Sequence, residues 1–298
     1  MSYEQFVQEI ETRLQKKVGD NRKVYIHTAM KNNGRTRKGI TFVEEGINVS
    51  PTIYLEEYYE RFIGGGCVEN ITEQILQLYQ SVRVPQSWKC DFVNNYDTVK
   101  DRIVIRLVNR AANQELLEEI PHLPFLDMAI IFHILVELDE EGERMATMLI
   151  RNEHLEGWNA EIEDMYAAAV RNTERLLPSE MASMFMIIEE ILPEWERPDV
   201  DDEDDFMYVL TNNRRSFGAC TILYPGRLEV IGMYLKENYY VLPSSVHEVI
   251  ILPESKAVGK EELMQIVCEI NHTQVPDEEI LSDHVYYYDI KKEHLYMC

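Results

Sequence analysis

The chain has 298 residues, 53 of them acidic and 29 basic, for a formal charge of −24. That excess disfavours non-specific attraction to nucleic acid or anionic lipid, so no direct nucleic-acid binding and no membrane attachment are expected, while a basic protein partner is favoured. Five cysteines at wide spacings (Cys67, Cys90, Cys220, Cys268 and Cys298), without a CxxC, argue against a disulfide framework and a zinc ribbon. No signal-peptide pattern and no run of eighteen apolar residues occurs, and a cytoplasmic location is expected.

Ser2 reads as a helix cap, followed by Phe6, Ile10 and Leu14 at helical spacing up to Gly19-Asp20. Val24–Ala29 and Lys38–Val43 alternate as strands around Asn32-Asn33-Gly34, a strong hairpin signal. Basic residues gather at this tip, and Arg35, Arg37 and Lys38 are candidates for contact with an anion or an acidic partner, set against a plain solvated hairpin edge. Ser50 and Pro51 predict the start of a helix through Phe62, closed by Gly64-Gly65-Gly66, and Glu69–Gln80 predicts another. The three glycines lack the GxxxxGK[ST] pattern of a phosphate loop.

From Asp97 to Ala112, the spacing of Val99, Ile103 and Leu107 predicts a helix carrying Arg102, Arg106 and Arg110 on one stripe. Arg102 and Arg106 are therefore candidates for an anion or carboxylate clamp, or else pair with acidic neighbours. Phe125–Leu138 and Met145–Ile150 read as strands joined by an acidic turn, with His133 as a hydrogen-bonded core histidine. Trp158–Leu177 predicts a helix, and the methionines of Ser179–Leu192 read as core filler. Residues 194–205, which follow Pro193, combine a proline with a run of acids and read as an exposed linker whose spacing fits no calcium loop.

Beyond it, Phe206–Leu210 and Ala219–Tyr224 read as a strand pair, Arg227–Glu237 as a helix, Tyr239–Leu242 and Val249–Leu252 as two buried strands, Gly259–Ile270 as a helix and Val285–Asp289 as a last strand. The fold class is α+β, with mainly antiparallel sheets and helices packed on one face. Two or three small domains are expected, with bounds at residues 1–95, 96–193 and 206–298, the last two separated by the linker.

YYVLPSSVHEVIILPE, the later LSDHVYYYD and the early INVSPTIYLEEYYERFIGGG together resemble a group of Gram-positive bacterial proteins catalogued only as a domain of unknown function. The similarity spans nearly the whole chain and implies no activity. No catalytic residue carries over from it.

Ser244, Ser245, His247 and Glu248 supply the side-chain types of a nucleophile, a base and an orienting acid, and His284 beside Asp283 offers a second imidazole-carboxylate pair. Against this, serines after Pro243 close turns by bonding backbone amides, and GxSxG, HExxH and SxxK are all absent. His247, His272, His284 and Asp283 match no known ligand spacing, so neither a metal nor another cofactor is expected. These features point first to a non-catalytic protein-interaction module. A hydrolase using Ser244 or Ser245 with His247 or His284 is the alternative, and an acidic decoy of a nucleic-acid-binding surface is the third reading.

Overall fold

The computed structural model describes residues 1–19, 22–47, 50–83, 93–138, 145–193 and 206–298. Two compact units emerge, Met1–Phe92 and Val93–Cys298. The acidic turn at 139–143 and the linker at 194–205 lie outside the described residues. No helix among the described residues is long and apolar enough to cross a membrane.

In the first unit, α1 (Tyr3–Val18) opens on a reciprocal cap between Ser2 and Gln5 and ends at Gly19, φ 74°. Its fully buried Phe6, Ile10 and Leu14 pack with Ile40 and Phe42 of an antiparallel sheet, β1 (Arg22–Met30), β2 (Thr36–Glu44) and β3 (Thr52–Tyr54). Each such side chain contributes about 1.5–3 kcal/mol of burial. Two helices, α2 (Glu56–Ile63) and α3 (Val68–Val82), complete the core, where Phe42 stacks on Tyr79 at 4.1 Å. The helix expected from Ser50 and Pro51 begins only at Glu56: Thr52–Tyr54 pairs with β2, and the Ser50 hydroxyl donates to the Phe42 carbonyl instead of capping.

The second unit holds the other two sheets, both antiparallel like the first. One is built on the long β6 (Met128–Leu138), with β4 (Ile103–Asn109) on one side and β5 (His122–Phe125) then β7 (Met145–Leu149) on the other. Contrary to the helix expected over Asp97–Ala112, Ile103–Asn109 is a strand, so Arg102 and Arg106 do not form a helical stripe. Residues four apart share a face in a strand as well as in a helix, and a strand buried throughout from Ile103 to Val108 shows no alternation to distinguish the two. The run read as one strand from Phe125 to Leu138 is likewise split by a two-residue turn at Leu126 (φ 54°) and Asp127.

Two short helices, α4 (Tyr96–Val99) and α5 (Gln114–Glu119), precede and follow β4 in the chain. The helical stretch at 152–176 breaks at Asn159, which takes a left-handed conformation between α6 (Asn152–Trp158) and α7 (Ile162–Leu176). The second of these helices covers the free edge of β4. Thr173 Oγ1 accepts the Ile105 N–H at 2.9 Å, and Asn172 Nδ2 donates to the carbonyls of Lys100 (2.6 Å) and Ile103 (3.1 Å). An exposed strand edge is thereby closed.

The remaining sheet has the order β13-β12-β10-β11-β9-β8, from β8 (Ser179–Ser183), β9 (Tyr208–Asn212), β10 (Tyr239–Pro243), β11 (Val249–Pro253), β12 (Tyr286–Asp289) and β13 (His294–Met297). β8 and β9 pair directly, so the stretches on either side of 194–205 share one sheet rather than forming the two domains expected. Gly218–Leu223 is a 3-10 turn, not a strand; a run buried from Gly218 to Ile222 leaves no period to read. Its start is fixed by contact, since a Cβ on Gly218 would meet Thr211 Oγ1 and come within 2.7 Å of the His247 carbonyl oxygen.

Around this sheet, α8 (Met184–Ile191) follows β8, α9 (Arg227–Leu235) follows the 3-10 turn and α10 (Lys260–Thr273) precedes β12. Met186 is 56% exposed and does not fill the core as expected.

Candidate functional site

The Ser244–Glu248 segment joins β10 to β11 as a loop, so strand alternation does not orient His247 and Glu248. Ser245 Oγ accepts the His247 N–H at 3.0 Å, and Ser244 Oγ makes a long 3.4 Å bond to Glu248 Oε1. His247 Nδ1 accepts the Phe217 N–H at 3.0 Å, which leaves the ring proton on Nε2, facing Glu279 Oε1 at 3.6 Å. The base position of this imidazole is thus occupied by a backbone amide. Its carbonyl accepts from Thr211 Oγ1 at 2.8 Å, and the Val246 carbonyl accepts the Ala219 N–H. These bonds tie the loop to the turn that begins at Gly218.

Phe217, held at φ 53°, links this loop to Arg106. The Phe217 ring lies 5.1 Å from the His247 ring, and the guanidinium carbon of Arg106 sits 3.5 Å from the Phe217 centroid. Arg106 extends from β4 across β6 to donate to Thr147 Oγ1 on β7 at 2.8 Å, passing beside His133. No carboxylate pairs with it among the described residues, although its acidic surroundings in the sequence led us to expect one. Burial lowers the Arg106 guanidinium to about 9. Burial, and then the charge of Arg106, hold His133 well below the usual imidazole range. His133 Nδ1 has no hydrogen-bond partner among the described residues, so the expected hydrogen-bonded core histidine is buried but unsatisfied at that atom. Cys220, beneath Phe217, is pushed up to about 12 by burial despite the opposing charge of Arg106. Arg102, by contrast, is exposed and donates to the Val136 carbonyl.

His284 pairs with Asp127, not with its neighbour Asp283. Asp127 accepts from His284 Nδ1 (3.1 Å), Ser282 Oγ (2.7 Å) and Tyr286 Oη (2.6 Å). The residue types of a triad meet here in another order. Ser282 donates to the acid directly and its oxygen also accepts the His284 N–H, so its hydroxyl is not handed to an imidazole. Burial, then the bond to Asp127, raise the Tyr286 phenol. Sequence reading missed Asp127 because its turn carries neither Gly nor Asn.

Asp283 turns instead toward α10, where Cys268, His272 and Asp283 bring their ligand atoms within 4.8 Å of one another. His247 is not among them. At the basic hairpin, Lys38 donates through its N–H to Glu56 and through Nζ to Thr28, Arg37 lies 3.7 Å from Glu57, and Lys31 Nζ sits 3.8 Å from the Tyr54 centroid. Arg35 at the same tip also has partners.

An open groove of about 570 Å³ lies where β11 and α9 end, lined by Phe206, Tyr208, Tyr234, Leu235 and Pro253, with Glu237, Ser255 and Lys256 supplying polar groups. Tyr208 and Tyr234 meet edge to face at 5.8 Å. On the adjoining helix face, Val230, Met233 and Tyr234 are 49%, 69% and 60% exposed.

The chain belongs to DUF5688, a family of unknown function, whose profile matches residues 3–290. No curated protein and no solved structure matches it. This agrees with the resemblance read from the PSSVHE and LSDHVYYYD segments.

Proposed function

We propose that this protein is an interaction module of the bacterial cytoplasm that binds a basic protein segment along α9 and the groove at its end. The observation that carries the reading is the exposed set Val230, Met233 and Tyr234, spaced three and four apart on one helix face and continuous with the groove through Tyr234. Single exposed apolar residues are ordinary, but a contiguous set beside an aromatic-lined groove marks a recognition surface. Methionine adapts to a partner, and tyrosine anchors it at low entropic cost. The charge of −24 favours basic flanks on that partner. The hydrogen bonding of Ser244, Ser245, His247 and Ser282 supports binding over hydrolysis, because none of these serines bonds an imidazole.

The test is fluorescence anisotropy with a labelled peptide carrying a Trp-Leu pair flanked by lysines, against the same peptide flanked by glutamates. The lysine form should bind, weaken with salt and lose about tenfold or more in affinity to Met233→Asp or Tyr234→Asp. Equal binding of both peptides, or no loss in either variant, contradicts the reading. Sedimentation of the wild type distinguishes a second copy as the occupant.

Arg106 favours a second reading, in which a small anion is held beside it. A buried guanidinium that meets no carboxylate among the described residues, next to an unsatisfied imidazole nitrogen, is a costly arrangement that an oxyanion would relieve. Phosphate or acetate at millimolar concentration should then raise the melting temperature of the wild type and leave Arg106→Met unmoved. An equal shift in both refutes this reading.

A further inference from the structure

The cluster on α10 involves none of the groove residues. Cys268 and His272 are one helical turn apart on the same face, and Asp283 comes from the loop ahead of β12. That loop is built against the helix: Asn271, 1% exposed, donates through Nδ2 to the Ser282 carbonyl (2.9 Å) and to Asp283 Oδ1 (2.8 Å). The other carboxylate oxygen of Asp283 has no protein partner among the described residues. On the helix, His272 Nδ1 lies 2.7 Å from the Cys268 carbonyl oxygen and 3.7 Å from its sulfur, which holds the ring near the thiol. A buried amide orienting the carboxylate and a backbone carbonyl orienting the imidazole are the outer contacts that typically steady metal ligands.

We propose that Cys268, His272 and Asp283 form a zinc site with three protein ligands and one open coordination position. Metal–ligand bonds of about 2.0–2.3 Å place tetrahedral ligand atoms about 3.3–3.8 Å apart. The three ligand atoms already lie within 4.8 Å of one another, and all three residues are exposed. A thiolate, an imidazole and one carboxylate suit a borderline-soft divalent ion and give calcium or magnesium too few oxygens. The open position leaves room for a water molecule or a partner's side chain.

The test uses the full chain, reduced and metal-free, titrated with cobalt(II). One equivalent should bind, giving a sulfur-to-cobalt charge-transfer band and the intense visible bands of four-coordinate cobalt, and zinc should bleach both. Cys268→Ser should abolish the charge-transfer band, and Asp283→Asn should weaken binding roughly tenfold or more. Cys67→Ser, an exposed cysteine in the other unit, should retain the full spectrum. Absence of the band in the wild type, or its survival in Cys268→Ser, overturns the proposal.

Discussion

His247 accepts the Phe217 amide proton at its Nδ1, 3.0 Å away, and the two rings lie 5.1 Å apart. One imidazole thus holds the loop between β10 and β11 against the turn that begins at Gly218. It does so with the nitrogen that a general base would need free.

Removing that acceptor leaves a partly buried amide unpaired. His247→Ala is expected to cost about 1–3 kcal/mol in chemical denaturation. Ser245→Ala should cost about 0.5–1.5 kcal/mol, and Ser244→Ala less, because its bond to Glu248 is long at 3.4 Å. Labelling of Ser244 or Ser245 by a serine-reactive phosphonate would count against this assignment.

His133 makes stability depend on pH. Its folded value lies well below the 6.5 of an unperturbed imidazole, chiefly through burial. The unfolded chain therefore takes up a proton below pH about 6.5 that the folded chain refuses, and stability falls as the pH drops from there toward the folded value. The slope from this group is at most about 1.4 kcal/mol per pH unit. Denaturation of His133→Leu across that window should show a shallower acid limb, and an unchanged limb would contradict the burial of a neutral ring.

Which parts of this fold could be read in advance depended on burial. The amphipathic α1 and the β1–β2 hairpin were legible because one face is wet and the turn carries Asn33-Gly34. Ile103–Asn109 and Gly218–Leu223 were not, because complete burial erases the period that separates strand, helix and turn. The PSSVHE loop stood out in the sequence, but its contacts with Phe217 and Thr211 come from 30 and 36 residues away. Asp127 meets Ser282 and His284 across separations of 155 and 157 residues, beyond the reach of any local pattern.

Cysteine reactivity should follow environment. Cys67 and Cys268 are exposed, while Cys220 is buried with its thiol pushed up to about 12. Under native conditions, iodoacetamide followed by peptide mapping should find Cys67 and Cys268 modified and Cys220 protected until denaturant is added. Native labelling of Cys220 would show that the contacts of Phe217 with His247 and Arg106 open readily.

The covered edge of β4 gives a third stability test. Asn172→Ala strips the amide from the Lys100 and Ile103 carbonyls and should cost about 1–3 kcal/mol. Thr173→Val removes the acceptor for the Ile105 N–H, with a cost of the same order. Both variants should also aggregate sooner on heating, as light scattering would report, because a strand edge is freed. Wild-type melting in both would mean that α7 does not protect this edge.

Hydrogen exchange on the full chain, with and without the lysine-flanked peptide, tests most directly whether α9 and its groove form the binding surface. The account predicts added protection in 206–212 and 227–238, with exchange in 244–248 unchanged. Protection confined to 244–248, with α9 exchanging as in the free protein, would contradict it and return that loop to the position of functional site.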